Sequence, residues 1–329
     1  MWFKKLTGLE ETSPEVVRNN IIVKGNNLYS KANGRSFQFG SLQIPSLKTL
    51  KEEAPPREVF KGKISVSEVV ANVQQLHCDS NNQNALFQAA SQFNLLEMVG
   101  PHITPERGID IYEKDNTQGP ACAIACGAGT IYRNYFVPVN GQTGQSANFQ
   151  IDCLDLIGEA LNYKELELWK MRNGYALLTQ DGLLQINRQI NEMSNSEREN
   201  LKEKLKIGIQ WDTEVTLTEQ NQIVSQAYCS ALPVAYSHIE SFYWESFARI
   251  ILEATYEATL YAALINLERT DSNKVFLTLI GGGAFGNALN WILESLAVAL
   301  KKFISTPLDV KIVSYGNSNP LIQKSLHEI

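Results

Sequence analysis

Three features near the end of the chain predict an α/β fold. VFLTLI (Val275–Ile280) and VKIV (Val310–Val313) are apolar on both faces, the pattern of parallel strands covered from two sides. Between them Leu289, Ile292, Leu296, Leu300 and Phe303 share one helical face. The first strand enters that helix through a glycine loop, GGGAFG, so the segment is a βαβ unit.

The other elements follow in chain order. Residues 1–60 are polar and end in KEEAPPRE, so they read as an irregular arm or linker, and the folded domain is expected to begin at Lys61. ISVSEVVANVQQL (Ile64–Leu76) is an amphipathic element. NALFQAASQFNLLEM holds a short strand, Ala85–Ala89, and a polar loop. ACAIACGAGTIYRNYFVPV is rich in small residues that suit close packing; Arg133 within it sits among aromatics and reads as the partner of an acid. An apolar strand is expected near Tyr175–Leu178, and Gly182–Leu205 reads as a charged surface helix. IGIQWDTEVTL and IVSQAYCSALPVAYS are strand candidates, and Phe247–Leu267 is a long helix with Ile250, Ile251, Ala254, Ala258, Tyr261 and Ile265 at helical spacing.

Composition narrows the function classes. The 329 residues suit one elaborated domain or two small ones, and 44% apolar content supplies a sizeable core. A net charge of −6 argues against a broad nucleic-acid surface and leaves room only for a local anion pocket. Five scattered cysteines read as free thiols; Cys122 and Cys126 have no second pair or nearby His that would make a zinc site. His77, His102, His238 and His327 are also far apart, so neither metal nor cofactor is expected. MWFKKLTGLEETSPE lacks the apolar core of a Sec leader and no apolar run is long enough to span a membrane, so a cytoplasmic protein without membrane partners is expected.

Gly281, Gly283 and Gly286 match G-x-G-x-x-G, yet a dinucleotide fold needs an acid at the end of the next strand. Here Asp309 stands at its start, and little chain follows for further βα units, so an NAD-dependent oxidoreductase has low weight. The anion logic survives without that fold. Backbone N–H groups of Gly281, Gly282, Gly283, Ala284, Gly286 and Asn287, with the helix behind them, suit a diphosphate. Phe285 would stand beside it as an apolar wall for a ribose or base.

A strand, a glycine–Phe–Gly loop, a helix and a closing strand in this late position resemble the second ligand loop of the macrodomain, the ADP-ribose-binding fold. Far upstream, Gln88-Ala89-Ala90-Ser91 is similar to the Asn-Ala-Ala-Asn-like turn of its first ligand loop. GPACAIACGAGTIYRNYFVPV resembles the small-residue element after that loop, IVSQAYCSALPVAYS the central strand, and Phe247–Leu267 the helix before the late strand. The likeness runs from Lys61 to Gly316, with an insertion at about 140–220, and is nearest to the divergent glycohydrolase-like branch that includes bacterial effectors. It implies a three-layer α/β/α sandwich around a mixed, mostly parallel sheet, with a large helical insertion, within residues 61–329. The partner implied is ADP-ribose or an ADP-ribosylated protein, and an effector would act in a host cytosol.

The activity implied is that of an ADP-ribosylhydrolase removing ADP-ribose from protein side chains; the alternative is a module that binds ADP-ribose or an NAD metabolite without turning it over. Gln88, Ala89, Ala90, Ser91, Gln92 and Asn94 would then surround the distal ribose, with Thr117 and Gln118 on the next wall. Cleavage at the anomeric carbon passes through an oxocarbenium-like state, which a carboxylate can stabilise while it moves a proton. Asp115, in DNTQGPA, is the first candidate, Glu97 the second, and Asp110 the third, more simply a solvated acid. Ser91 stands where the family has a ribose-contacting asparagine, and neither adjacent glutamates nor a Gly-Gly-Gly segment lies near this loop.

Overall fold

Seven strands form the central sheet: β1 (Ser41–Gln43), β2 (Ser65–Val70), β3 (Leu86–Ala90), β4 (Gly208–Glu214), β5 (Ile223–Cys229), β6 (Lys274–Leu277) and β7 (Asp309–Ser314). The computed structural model describes residues 1–326, and His327 lies outside them. Their spatial order is β1-β4-β5-β3-β6-β7-β2. From β5 to β2 every pair is parallel, while β4 pairs antiparallel with β5 and β1. β3, β5 and β6 are buried on both faces; the polar side chains they carry, Gln88, Ser225 and Gln226, are buried with them.

Helices cover both faces. α1 (Gln118–Ala125), α2 (Gly127–Tyr135) and the helix Val73–Cys78 lie on one side; α3 (Glu245–Thr270) and α4 (Leu289–Lys301) lie on the other. The chain is therefore a three-layer α/β/α sandwich. Alternation along β3 joins the layers. Phe87 stacks on Phe276 and on the ring of His77, at 4.4 and 3.8 Å, while Gln88 faces α3 and bonds Thr259.

Several sequence expectations are refined. ISVSEVVANVQQL divides into β2 and the helix Val73–Cys78, because the Asn72 side chain accepts the Gln74 N–H at 2.8 Å and starts a helix there. The charged stretch after Gly182 is two helices, Gln180–Glu192 and Asn195–Lys202, separated by a capping box between Ser194 and Glu197. The insertion is not wholly helical. Its Tyr175–Leu178 strand forms a hairpin with Trp169–Arg172, while its two charged helices pack on α3.

The amino-terminal segment corrects the expectation of an irregular arm. Helices Trp2–Thr7 and Pro14–Asn20 and a three-stranded antiparallel sheet, Ile21–Lys24, Asn27–Ser30 and Ser36–Gln38, precede β1, which joins the main sheet. Trp2, Phe3, Leu28 and Phe37 form a second apolar cluster with Ile131 and Tyr135 of α2. Each strand is so short that it buries only one or two side chains, which hides it in a polar sequence. The readable signal was Gly25-Asn26, a two-residue turn joining IIVK to NLYS.

Candidate active site

β5, β3 and β6 lie side by side and parallel, and the chain beyond their carboxyl ends lines a cleft of about 240 Å³. Open α/β sheets characteristically bind ligands at this edge. Four parts of the sequence meet there: Ala90–Gln92 and Glu97–Val99 after β3, Asp115 and Thr117–Pro120 leading into α1, the glycine loop after β6, and two tyrosines, Tyr175 and Tyr236.

The turn after β3 is closed by its own side chains. The Gln92 amide accepts the Met98 N–H at 2.9 Å and donates to the Met98 carbonyl at 3.2 Å. Gln118 locks the strand end: its amide accepts the Ala90 N–H and donates to the Gln88 carbonyl, both at 2.8 Å. Gly119 makes that approach feasible, since a Cβ there would lie 2.1 Å from the Ala90 carbonyl oxygen.

The glycine loop is shaped for an anion. Gly281 adopts φ +76°, and a Cβ would meet Ala231 at 2.6 Å. Asn287 staples the turn by donating to the Leu232 carbonyl at 2.8 Å, and the Tyr256 hydroxyl braces it by accepting the Ile280 N–H at 3.1 Å. Among the described residues, the N–H groups of Gly281, Gly283, Ala284 and Phe285 have no hydrogen-bond acceptor. Among the described residues no Lys or Arg lines the cleft, so an anion here would be held by backbone dipoles. Phe285, Tyr175 and Tyr236 form an aromatic wall with ring centroids 5.0–5.7 Å apart. The Tyr175 hydroxyl donates to the Met98 carbonyl at 2.7 Å, and burial raises its pKa.

Glu97 is the unusual group. Its side chain is 2% exposed, and among the described residues neither carboxyl oxygen has a hydrogen-bond partner. Burial pushes its pKa up to about 8, against the opposing pull of Arg133, whose guanidinium lies 3.5 Å away. Glu97 therefore holds a proton at neutral pH while facing the cleft. Asp115 lines the same cleft, partly exposed, with its carboxylate accepting the Thr117 N–H at 2.9 Å. Cys229 also lines it, but burial lifts its thiol to about 12, which leaves it no nucleophile.

The fold brings together Ala90, Ser91, Gln92, Glu97, Asp115, Thr117, Gln118, Gly281, Gly283, Ala284 and Phe285. Others expected there lie elsewhere. Gln88 runs beneath the floor, Ala89 is fully buried in the sheet, and Asn94 is spent on the Leu96 N–H and Gln150. Gly282, Gly286 and Asn287 shape the loop without lining the cleft. Asp110 pairs with Arg107 at 3.1 Å, outside it. Tyr175 and Tyr236 were not singled out in the sequence, where nothing marks a tyrosine that tertiary packing delivers to a distant loop. Among the described residues no group of three His, Cys, Asp or Glu side chains is arranged to hold a metal, and no helix is long and apolar enough to cross a membrane.

No protein-family model and no curated protein matches the sequence. Among solved structures, the chain is similar to poly(ADP-ribose) glycohydrolase from Thermomonospora curvata, with a TM-score of 0.44 and 11% identity, covering 95% of this chain and 93% of that one. It is also similar to poly(ADP-ribose) glycohydrolase from Deinococcus radiodurans in complex with ADP-ribose, with a TM-score of 0.43 and 9% identity, covering 88% of this chain and 94% of that one.

Proposed function

We propose that the cleft binds ADP-ribose and that the protein hydrolyses the glycosidic bond joining ADP-ribose to a modified side chain or related conjugate. One observation carries the reading: a buried, protonated carboxyl and a run of free backbone N–H groups face the same small cleft. The loop 281–285 would take the diphosphate, and the wall of Phe285, Tyr175 and Tyr236 would flank a ribose or the base. The distal ribose would lie by Ser91, Glu97 and Gly119. The order of the two loops along the chain aligns this reading with the glycohydrolase-like macrodomains.

Glu97 rather than Asp115 is the acid in this scheme. A proton held at neutral pH can pass to the departing oxygen or nitrogen as the anomeric bond breaks. The carboxylate so formed, 3.5 Å from Arg133, can then take a proton from the attacking water. Calorimetry with ADP-ribose, using AMP and NAD as comparisons, tests binding, and release of ADP-ribose from a modified protein tests turnover. Micromolar selective binding with turnover is expected. Selective binding without turnover would make the protein a binding module, and no ADP-ribose binding would end both readings.

A further inference from the structure

Arg133 lies wholly buried in α2, outside the cleft lining, yet it touches the turn that presents Glu97 in two ways. Its Nε donates to the Leu95 carbonyl at 3.1 Å, and its Nη2 donates to the Thr130 hydroxyl at 3.2 Å while lying 3.5 Å from a Glu97 carboxyl oxygen. Leu95 adopts φ +65°, a left-handed conformation that is strained for a branched residue. That kink reverses the chain so that Glu97, two residues on, faces the cleft. The guanidinium is fixed in turn by the Tyr228 ring, 3.5 Å from its centroid, whose hydroxyl donates to Gln226 at 2.5 Å.

We propose that Arg133 is the positioning residue of this site, one guanidinium that both pins the strained turn and sets the charge balance of the Glu97 carboxyl. The inference rests on the hydrolase reading for its kinetic consequence but not for its electrostatic one. The other titratable groups facing Glu97 are Tyr112, which accepts the Glu97 N–H at 2.9 Å, Tyr228 of β5 and Cys122 of α1. Burial raises the pKa of all three and keeps them neutral. Among the described residues, Arg133 alone places a cation within ion-pair distance of Glu97.

The test compares wild type, R133K and R133M in the full-length protein. The Glu97 carboxyl is followed by carbon-13 NMR, with E97Q to identify its resonance, and turnover of an ADP-ribosylated protein is measured across pH. Loss of the cation should raise the Glu97 titration midpoint by about one unit or more in R133M, with R133K between it and wild type. The alkaline limb of the rate profile should move with it. kcat should fall about tenfold or more in both variants, with KM nearly unchanged because Arg133 does not reach the cleft. Wild-type midpoints and rates in both variants would overturn the inference. Without turnover in wild type the hydrolase reading fails, and the NMR midpoints still decide the role of Arg133. Should R133M not fold, an unshifted midpoint and resonance in R133K would sink the proposal alone.

Discussion

At neutral pH Glu97 is neutral because taking a carboxylate out of water costs more than one guanidinium at 3.5 Å returns. The E97Q protein should therefore fold, bind ADP-ribose as wild type does, and lose turnover by about 10²–10⁴-fold. D115N should lose much less, because Asp115 is partly exposed to solvent and its carboxylate is occupied by the Thr117 N–H. Steady-state kinetics beside calorimetry separates the two; equal losses would restore Asp115 as the acid.

At the scale of elements, two glycines decide whether the walls of the cleft meet. A Cβ on Gly119 would collide with the Ala90 carbonyl oxygen and drive α1 off the end of β3. G119A should lower stability by about 1–3 kcal/mol, read as a fall in melting temperature, and weaken ligand binding with it. G281A combines a clash with a positive φ and should cost a similar amount, whereas a Cβ on Gly283 meets nothing within 4 Å. G283A should therefore melt with wild type. A destabilised G283A or an unaffected G281A would mean that the loop is not built as described.

At the scale of the molecule, the amino-terminal segment belongs to the fold. Removing residues 1–60 would strip Trp2, Phe3, Leu28 and Phe37 from α2 and β1 from the sheet edge. The truncated protein should lose its cooperative melt by circular dichroism, whereas loss of a linker would leave the transition in place. Glu11 is part of this clasp. It accepts the Ile109 and Asp110 N–H groups and the Tyr135 hydroxyl, and burial lifts its pKa to about 7. Glu11 and Glu97 both have folded pKa values above the unfolded one. Their contribution to stability is therefore complete below the ordinary carboxylate pKa of 4.5 and is lost as pH rises through about 7 and 8. His77 runs the other way: burial lowers its pKa to about 4 from the ordinary 6.5, so its contribution is lost only as pH falls through that interval. Of these three groups, the two carboxyls are the ones that act between pH 6.5 and 8, and the melting temperature should fall. E97Q should flatten that slope, and an unchanged slope would mean that Glu97 is ionised throughout.

The α/β class, the late glycine loop, the first loop after β3 and the long helix α3 were legible in the sequence, because local periodicity and backbone chemistry set them. Apolar segments mark buried strands, and a glycine cluster between strand and helix can turn backbone N–H groups toward a ligand; which of them stay free was settled by the fold, which bonds those of Gly282, Gly286 and Asn287 within the loop. The tertiary structure alone decided which acid is protonated, since the pKa of Glu97 depends on burial against α1 and α2 and on Arg133, distant in the sequence. It alone brought Tyr175 and Tyr236 to the cleft, through a hairpin and a turn whose own sequences do not point there. It also withdrew Gln88 and Asn94, whose amides the fold needed for its own hydrogen bonds. Residue type and spacing determine what a segment can offer, but burial and long-range contact determine which of those groups remains free to meet a ligand.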